Sequence, residues 1–376
     1  MSGIYVHIPF CKSRCTYCGF YSTTFIEHRQ RYVDALCREY DMRRNYITLP
    51  PTTIYIGGGT PSVLTESQLE QLFNTLGNIA SQRRISQPVE VTLECNPDDV
   101  TESFAALLRR LPVNRVSMGA QTFNDERLRF LHRRHTSQQV ALAVDRLRHA
   151  GIDNISVDLI YGFPGQTLKE WEADVDKALA LHVEHLSAYA LTYEEGTPLH
   201  HLLQQGRVHP IDEEQSRAMY YSLLDRTAAA GFEHYEISNF SLPGRRSRHN
   251  SGYWNQTPYL GLGAAAHSFD GKSRQWNVSD IMLYMEGVES GHLNYEGETL
   301  DADTRYNELV MTALRTSDGL FLHLLSPAQR SYCLHMASRY LDSGLLTHDK
   351  EKDRLRLTRD GLFVSDMVIA DLMVIP

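Results

Sequence analysis

Three cysteines near the N-terminus are spaced in a way that could hold an iron–sulfur cluster. They are Cys11, Cys15 and Cys18. Three thiolates at this spacing can each bind one iron of a cubane cluster, which leaves the fourth iron without a protein ligand. An iron with an open position can bind and reduce a substrate, whereas a structural cluster normally has four cysteines. The spacing therefore indicates a site for chemistry.

Two simpler interpretations of these cysteines compete with the cluster. A zinc site needs a fourth ligand, and His7 lies too close along an extended strand to supply it easily. The remaining cysteines are isolated: Cys37, Cys95 and Cys333. A dithiol redox site would use Cys15 and Cys18 alone and would leave Cys11 without a role. Spacing favours the cluster and leaves both alternatives open.

Composition places the chain among ordinary globular proteins. It has 376 residues, of which 42% are hydrophobic and 22% are charged, enough for one large domain and a smaller one. The net charge of −9 predicts no general attraction to nucleic acid or to an anionic membrane. The cysteines lack an obvious pairing, and the sequence shows neither a signal peptide nor an apolar run of about 20 residues. These features favour a reducing cytoplasm.

Six short β-rich runs alternate with longer amphipathic segments in the first half of the chain. The runs are Ile4–Pro9, Thr53–Gly57, Val89–Cys95, Arg115–Gly119, Ile155–Ile160 and His185–Leu191. The helical segments include Glu27–Tyr46, Glu66–Ala80, Ser137–Ala150 and Leu168–Leu181. This alternation predicts an α/β fold with parallel strands and crossover helices. Six such units predict a barrel or an open partial barrel, whose active site gathers at the carboxyl ends of the strands.

The residues that could do chemistry lie at those strand ends. The cysteines follow the first run, and the glycine run 57–59 ends the second. Glu94, Gln121 and Asp158 lie at the ends of the next three. Glycine and proline commonly interrupt strand–helix loops, which accounts for the glycines. It does not account for cysteine, carboxyl and amide side chains meeting at one rim.

Each of these groups suits part of one ligand. A glycine run lets backbone approach a ligand closely. Glu94 and Asp158 can accept hydrogen bonds from ribose hydroxyls or an ammonium group, whereas Gln121 and Arg133 can donate to a carboxylate. An amino acid joined to a ribose needs this mixed set, and S-adenosylmethionine is such a molecule. Its amine and carboxylate can chelate the open iron.

Longer motifs make a family resemblance specific. The cysteine motif followed by Gly-Gly-x-Thr-Pro, here Gly-Gly-Gly-Thr-Pro at residues 57–61, resembles the radical S-adenosylmethionine superfamily. The stretches Tyr-Val-His-Ile-Pro-Phe-Cys, Ser-Met-Gly-Ala-Gln and Asp-Leu-Ile-Tyr-Gly-Phe-Pro-Gly resemble the oxygen-independent coproporphyrinogen III oxidase group. The resemblance implies that the three cysteines carry a [4Fe-4S] cluster, with an electron donor such as reduced flavodoxin or ferredoxin. It implies that S-adenosylmethionine contacts Tyr5, Tyr17, Gly58, Gly59, Thr60, Glu94, Gln121, Arg133, Asp158 and Thr192.

Two departures separate the chain from the oxidase and match its sister family, the haem chaperones named HemW. The oxidase has a fourth cysteine where this chain has Phe20, and it has a longer N-terminal extension. A third feature is the His-Asn-x-x-Tyr-Trp motif at residues 249–254. By this resemblance His249 ligates haem iron, and Tyr253 and Trp254 pack on the porphyrin.

The residues around His249 are compatible with that role. An imidazole can ligate haem iron, aromatic rings can pack on a porphyrin face, and the basic stretch 245–248 could meet the propionates. The alternative is a loop histidine that is hydrogen-bonded near a core tryptophan. His267, in a glycine- and alanine-rich turn, is a poorer ligand candidate.

The chain divides into three predicted segments. Residues 1–235 form the partial barrel, residues 236–300 connect it and carry the haem motif, and residues 301–376 form a small, mostly helical domain. In the last segment, helices precede the hairpin Leu345–His348 and Arg354–Leu357, an order that resembles a winged helix. Acidic residues offset the basic ones there, so a packing or lid domain is favoured over nucleic-acid binding.

The expected function is a cytoplasmic haem chaperone that binds haem and delivers it to acceptor proteins, with the cluster and S-adenosylmethionine in support. The alternative is an oxidase-like enzyme that decarboxylates porphyrinogen propionates through a deoxyadenosyl radical. The resemblance leaves open whether S-adenosylmethionine is cleaved.

Overall fold

Six parallel strands in sequential order form the centre of the fold. The structure is a computed structural model that describes residues 2–82 and 88–375. The central strands are β1 (Ser2–Ile8), β2 (Pro51–Gly58), β3 (Glu90–Cys95), β4 (Arg115–Gln121), β5 (Ile155–Tyr161) and β6 (His185–Ala190). All six predicted runs are strands, and the predicted partial (β/α)6 barrel is confirmed.

Shorter strands extend this sheet on both sides. They are β7 (Glu233–Glu236), β8 (Asn239–Ser241), β9 (Tyr259–Leu262), β10 (His267–Phe269), β11 (Ser273–Asn277) and β12 (Tyr295–Thr299). Within the described residues the order is β12-β11-β10-β9-β1-β2-β3-β4-β5-β6-β8-β7. The edge strands β12 and β7 are not paired with each other there, so the barrel is open.

Helices cover the outer face of the sheet where the sequence has amphipathic segments. Those that follow the central strands are α1 (Arg29–Arg43), α2 (Glu66–Gln82), α3 (Glu102–Leu108), α4 (Asp125–Phe130), α5 (Ser137–His149), α6 (Leu168–Ala180), α7 (Pro198–Gln204) and α8 (Glu213–Ala229). Local caps set several starts: Thr136 and Gln139 form a capping box at α5, and the Thr167 side chain accepts the backbone N–H of Glu170 at α6.

The two faces of the central strands differ in polarity. Ile4, Val6 and Ile8 of β1 are buried in the main hydrophobic core under the helices, and the other strands repeat this pattern. The alternate positions face the opposite side, because side chains alternate along a strand. They are largely polar: Tyr5, His7, Thr53, Tyr55, Glu90, Glu94, Arg115, Ser117, Ser156, Asp158, His185 and Ser187. The concave interior of the barrel is therefore a polar surface.

Residues 236–300 continue the large sheet in addition to connecting two parts of the chain. They contain α9 (Arg248–Trp254), α10 (Ile281–Glu289) and strands β8 to β12. Strand β9 pairs in parallel with β1, and apolar residues of α10 belong to the main core. The boundaries of this segment as a separate unit stay a prediction.

The last segment has its own small core. It contains α11 (Ala302–Leu314), β13 (Leu320–Phe321), α12 (Pro327–Asp342), β14 (Leu346–Asp349), β15 (Arg354–Leu357), α13 (Arg359–Phe363) and α14 (Ser365–Leu372). The three strands form a separate sheet in the order β13-β15-β14. Helix, strand, helix and hairpin follow in the winged-helix order that was predicted. In the part of the chain that the structure covers, no helix is both long and apolar enough to cross a bilayer.

Candidate functional site

The cysteine loop follows β1 at the carboxyl end of the sheet and is tied to neighbouring loops. The N–H of Cys11 donates to the carbonyl of Thr23 at 2.9 Å. The N–H of Thr16 donates to Leu131, and the carbonyl of Thr16 accepts from Leu199. All three cysteines are partly buried free thiols. One backbone contact within the loop, one with the end of α4 and one with the start of α7 therefore hold the segment that presents the cysteines.

The donor set fits a cubane cluster better than a single ion. Among the described residues, no three His, Cys, Asp or Glu side chains are grouped around a position for one metal ion. Cluster ligands bind different irons, so their sulfur atoms lie further apart than the ligands of one zinc. Burial raises the pKa of the Cys11 and Cys18 thiols, and binding of a metal would displace their protons.

Two side-chain donors reach the cysteine sulfurs from neighbouring loops. Thr60 Oγ1 donates to Cys11 Sγ at 3.6 Å, and Arg133 Nη1 donates to Cys15 Sγ at 3.4 Å. Arg133 Nη2 also donates to Asn96 Oδ1 at 2.7 Å and to the carbonyl of Gly119 at 2.6 Å. Hydrogen bonds to a sulfur stabilise the thiolate. The structure thus brings two predicted S-adenosylmethionine residues to the cysteine loop.

The glycine run permits close packing at the end of β2. Gly58 has a φ of 109°, and a Cβ there would lie 2.5 Å from His7 Nδ1. A Cβ on Gly59 would lie 2.8 Å from the carbonyl oxygen of Phe10. Larger residues would push the glycine loop away from the start of the cysteine loop. The glycines therefore set the distance between these two loops.

Glu94 is the carboxyl group at the centre of the rim that the carboxyl ends of the central strands form. Its Oε1 accepts from the Tyr55 hydroxyl at 2.6 Å, and its Oε2 accepts from the N–H of Gly58 at 3.1 Å. Burial raises the pKa of Glu94 to about 7, against the opposing effect of these hydrogen bonds. At neutral pH this side chain can therefore exist in both protonation states.

Asp158 and Gln121 complete the rim on the next strands. Asp158 accepts from the Ser117 hydroxyl at 3.4 Å, and burial raises the pKa of the Asp158 carboxyl. Gln121 is buried and has a φ of 66°, which is uncommon for a residue with a side chain. Its amide nitrogen lies so close to Gly119 that a Cβ there would be 2.5 Å away. Strained backbone of this kind is typical of ligand sites.

The remaining three residues that were predicted to contact S-adenosylmethionine lie in three different surroundings. Tyr5 lies one layer deeper, inside the barrel, where its hydroxyl is 2.9 Å from His7 Nδ1. Tyr17 packs beside a small apolar cluster under the cysteine loop. Thr192 is exposed after β6, and no hydrogen bond of the described part joins it to the rim. The prediction for Thr192 thus has the least support.

His249 lies at the opposite end of the strands from the cysteines. It is 4% exposed, and its ring stacks on Tyr55 with centroids 5.0 Å apart. Its Nδ1 is 2.9 Å from Thr53 Oγ1, and its Nε2 is 3.0 Å from the Tyr253 hydroxyl. Burial, helped by the charge of Arg115, lowers the pKa of His249 to about 3. The imidazole is therefore neutral and carries the lone pair that an iron ligand needs.

A buried carboxylate fixes the helix that carries His249. Glu90 accepts the backbone N–H of Arg248 and that of His249, each at 3.0 Å. These N–H groups belong to the first turn of α9, where a negative charge is favourable. The Ser247 hydroxyl accepts a third N–H, from Asn250. A glutamate of β3 thus anchors the start of the predicted haem motif.

A cavity of about 320 Å³ opens beside His249. The amino-terminal ends of β1 and β2 form one wall, and α9 with the loop after it forms the other. The lining includes Thr53, Arg246, Arg248, His249, Tyr253 and Tyr259.

The two aromatic residues of the motif face different surroundings. Tyr253 lines the cavity, edge-on to Tyr259 with centroids 4.9 Å apart. Trp254 lies against the C-terminal segment, where the guanidinium of Arg315 is 5.6 Å from its ring centroid. Trp254 Nε1 is buried and has no hydrogen-bond partner among the described residues. Tyr253 is therefore placed beside a cavity ligand, and the predicted role of Trp254 requires a rearrangement.

Several polar residues around these two sites were not predicted from the sequence to be functional. They are Thr53, Tyr55, Glu90, Asn96, Arg115, Ser117, Ser156 and His185. Most alternate with apolar residues along strands that were predicted to be parallel and central. Such strands are usually apolar on both faces because helices cover both. Strict alternation was the signal that one face lines a polar interior.

Comparison with known proteins defines the class first. Residues 5–178 match the model of the Radical SAM superfamily. A solved structure of coproporphyrinogen III oxidase (HemN) from Escherichia coli superimposes with a TM-score of 0.83 at 21% identity, covering 99% of this chain and 90% of that one. At this identity the likeness shows the fold, which is that of a radical SAM protein. Superfamily membership implies a [4Fe-4S] cluster and S-adenosylmethionine.

Closer relatives then give the family. The chain is 36% identical over 324 residues to heme chaperone HemW of Bacillus subtilis (strain 168), covering 85% of each chain. It is 35% identical over 378 residues to heme chaperone HemW of Mycobacterium tuberculosis (strain ATCC 25618 / H37Rv), covering 99% of this chain and 94% of the relative. The chain belongs to the HemW family.

Proposed function

We propose that the chain binds haem in the cavity beside His249 and passes it to acceptor proteins in the cytoplasm. The observation that carries this proposal is a buried imidazole on the wall of a cavity, within the motif that the resemblance assigns to haem. The named HemW relatives are heme chaperones, whereas the likeness to the oxidase concerns the fold alone.

The cavity has the chemical groups that a porphyrin requires. His249 supplies a nitrogen ligand for iron, and the rings of Tyr253 and Tyr259 supply an apolar wall. Arg246 and Arg248 line the same cavity and can donate to propionates. Haem held there would reach beyond the cavity, so part of its edge stays accessible to an acceptor protein.

The cluster and S-adenosylmethionine belong to the opposite end of the sheet. Cys11, Cys15 and Cys18 would hold the cluster, and Thr60 and Arg133 would donate to its cysteine ligands. When bound, the cluster supplies single-electron reduction, for which a flavodoxin- or ferredoxin-type donor is the expected partner. Gly58, Gly59, Glu94, Gln121 and Asp158 line the adjacent rim and would hold S-adenosylmethionine, with Tyr5, Tyr17 and Thr192 in supporting positions.

A haem titration tests the proposal. Purified protein is titrated with haem under anaerobic conditions and followed by the Soret band, beside the variant His249→Ala. Wild type should saturate at one haem per chain, and the variant should lose at least about tenfold in affinity because a coordinate bond is removed. His149→Ala, a change at an exposed histidine of α5, is the matched control and should bind as wild type does. Binding that does not saturate, or that is equal in all three proteins, would refute the proposal.

A further inference from the structure

The Tyr253 hydroxyl occupies the side of His249 that faces the cavity. His249 Nε2 and the Tyr253 hydroxyl are 3.0 Å apart, and both residues line the cavity. The two side chains are neighbours because they are four residues apart on α9. The nitrogen that an incoming iron would meet is thus already hydrogen-bonded.

The other ring nitrogen offers no alternative to iron. Nδ1 lies against β1 and β2, 2.9 Å from Thr53 Oγ1. Space there is so small that a Cβ on Gly3 would be 3.3 Å from Nδ1 and from Cε1. An iron atom with its porphyrin cannot enter between these strands. Ligation must therefore occur at Nε2.

Both hydrogen-bond arrangements of the pair conflict with ligation. If Tyr253 donates, its proton occupies the Nε2 lone pair, and Thr53 accepts from Nδ1. If Nε2 carries the proton and donates to Tyr253, the lone pair is absent from that nitrogen. In either case the iron requires the hydroxyl to leave, and in the second case the imidazole must also change tautomer.

We infer that Tyr253 is a gating residue whose hydroxyl competes with haem iron for His249 Nε2. The inference rests on the proposed haem site and adds a closed state to it. Haem binds only to the fraction of molecules in which the pair is open, which lowers the apparent affinity by that fraction. When haem leaves, the hydroxyl re-forms its bond to His249, which favours release to an acceptor.

Removal of the hydroxyl tests the gate. Tyr253→Phe keeps the ring and its contact with Tyr259 but frees Nε2, so haem should bind about threefold to tenfold more tightly, the range expected for one net hydrogen bond. In a His249→Ala background the same change should have no effect. Tyr332→Phe removes a hydroxyl that donates to the carbonyl of Met373, remote from the cavity, and serves as the control.

The possible results of these titrations distinguish a failure of the Tyr253 gate from a failure of the proposed haem site. Tighter binding in the wild-type background alone supports the gate. Unchanged or weaker binding in Tyr253→Phe, or equal tightening with and without His249, overturns it while leaving the haem site in place. If the wild-type protein does not bind haem, both the proposed function and the gate are refuted. Nitrogen NMR of the haem-free protein gives a second readout, because the Nε2 resonance of His249 should move in Tyr253→Phe and an unmoved resonance would contradict the contact.

Discussion

Individual residues inside the barrel are polar where most parallel sheets are apolar, and this shifts their protonation. Glu94 is surrounded by a tyrosine hydroxyl, a backbone N–H and the neighbouring acid Asp158. Two hydrogen bonds do not offset the loss of water, so the carboxyl group holds its proton to about pH 7. A carboxyl that titrates at neutral pH at the rim is typical of a functional site.

The raised pKa of Glu94 predicts a pH-dependent stability difference. Because folding favours the protonated carboxyl, the stabilisation is complete below the unfolded pKa of 4.5, declines as pH rises and is gone above about 7. Glu94→Gln cannot ionise. Its free energy of unfolding, relative to wild type, should therefore increase by about 3 kcal/mol from pH 4.5 to pH 8. Denaturant unfolding of the haem- and cluster-free proteins measures this difference.

A surface carboxyl provides the comparison for Glu94. Glu351 is exposed in the turn between β14 and β15, and Glu351→Gln should show a difference of less than about 0.5 kcal/mol over the same pH range. A constant difference for Glu94→Gln would mean that folding does not raise the pKa of Glu94, which would contradict the burial argument.

At the scale of the secondary-structure elements, the periodicity of apolar residues was enough to predict the central strands and the helices between them. All six central strands were predicted within two residues at each end. Their order also followed, because alternating apolar runs and amphipathic helices leave few topologies. The cysteine loop, the glycine run and Glu94 could be predicted because their positions follow strand ends. Helix α3 was missed, since its seven residues are too short for a clear period.

Pairing between distant strands could not be predicted from the local sequence. The contact of Glu90 with α9 joins residues 159 positions apart, and no local pattern encodes it. The same holds for Thr53 and His249, which meet because β9 returns to pair with β1. Motif residues were therefore predictable, whereas the groups that orient them were not.

The anchor of α9 gives a prediction at this scale. Glu90→Ala leaves the N–H groups of Arg248 and His249 without their acceptor and removes the negative charge from the helix start. The change should cost about 1–2 kcal/mol of stability. It should also weaken haem binding several-fold, since His249 is then held less firmly. Thermal unfolding and the Soret titration measure the two effects.

A matched change at another helix isolates the haem effect. Asp212 caps α8 by accepting the N–H of Gln215 at 2.7 Å, and Asp212→Ala should cost a similar amount of stability. It should leave haem affinity unchanged, because α8 does not line the cavity. Equal haem affinity in Glu90→Ala and wild type would show that Glu90 does not position His249.

At the scale of the whole molecule, the two sites lie at opposite ends of one polar interior. The cysteine loop follows the carboxyl end of β1, whereas His249 lines a cavity together with Gly3 at the amino end of that strand. Gly3 and Ile8 are five positions apart along β1, which separates the two ends by about 16 Å. Between them, Tyr5 and Tyr55 are register partners, and each has its ring near His249. Their hydroxyl groups contact His7 and Glu94, respectively.

This separation predicts that the cluster ligands are not needed for haem to bind. None of the cysteines lines the cavity, and the side chains bonded to them, Thr60 and Arg133, are not those bonded to His249. Groups this far apart without a common direct partner usually contribute independently. The triple variant Cys11→Ser, Cys15→Ser, Cys18→Ser should lose the absorbance of the reconstituted cluster. It should still bind haem within about threefold of wild type, because an uncoupled change stays near 0.5 kcal/mol. Phe20→Ser, a change in the same loop that spares the thiols, is the control. A loss of haem affinity as large as that of His249→Ala would instead mean that Tyr5 and Tyr55 couple the two ends and that the cluster ligands control haem binding.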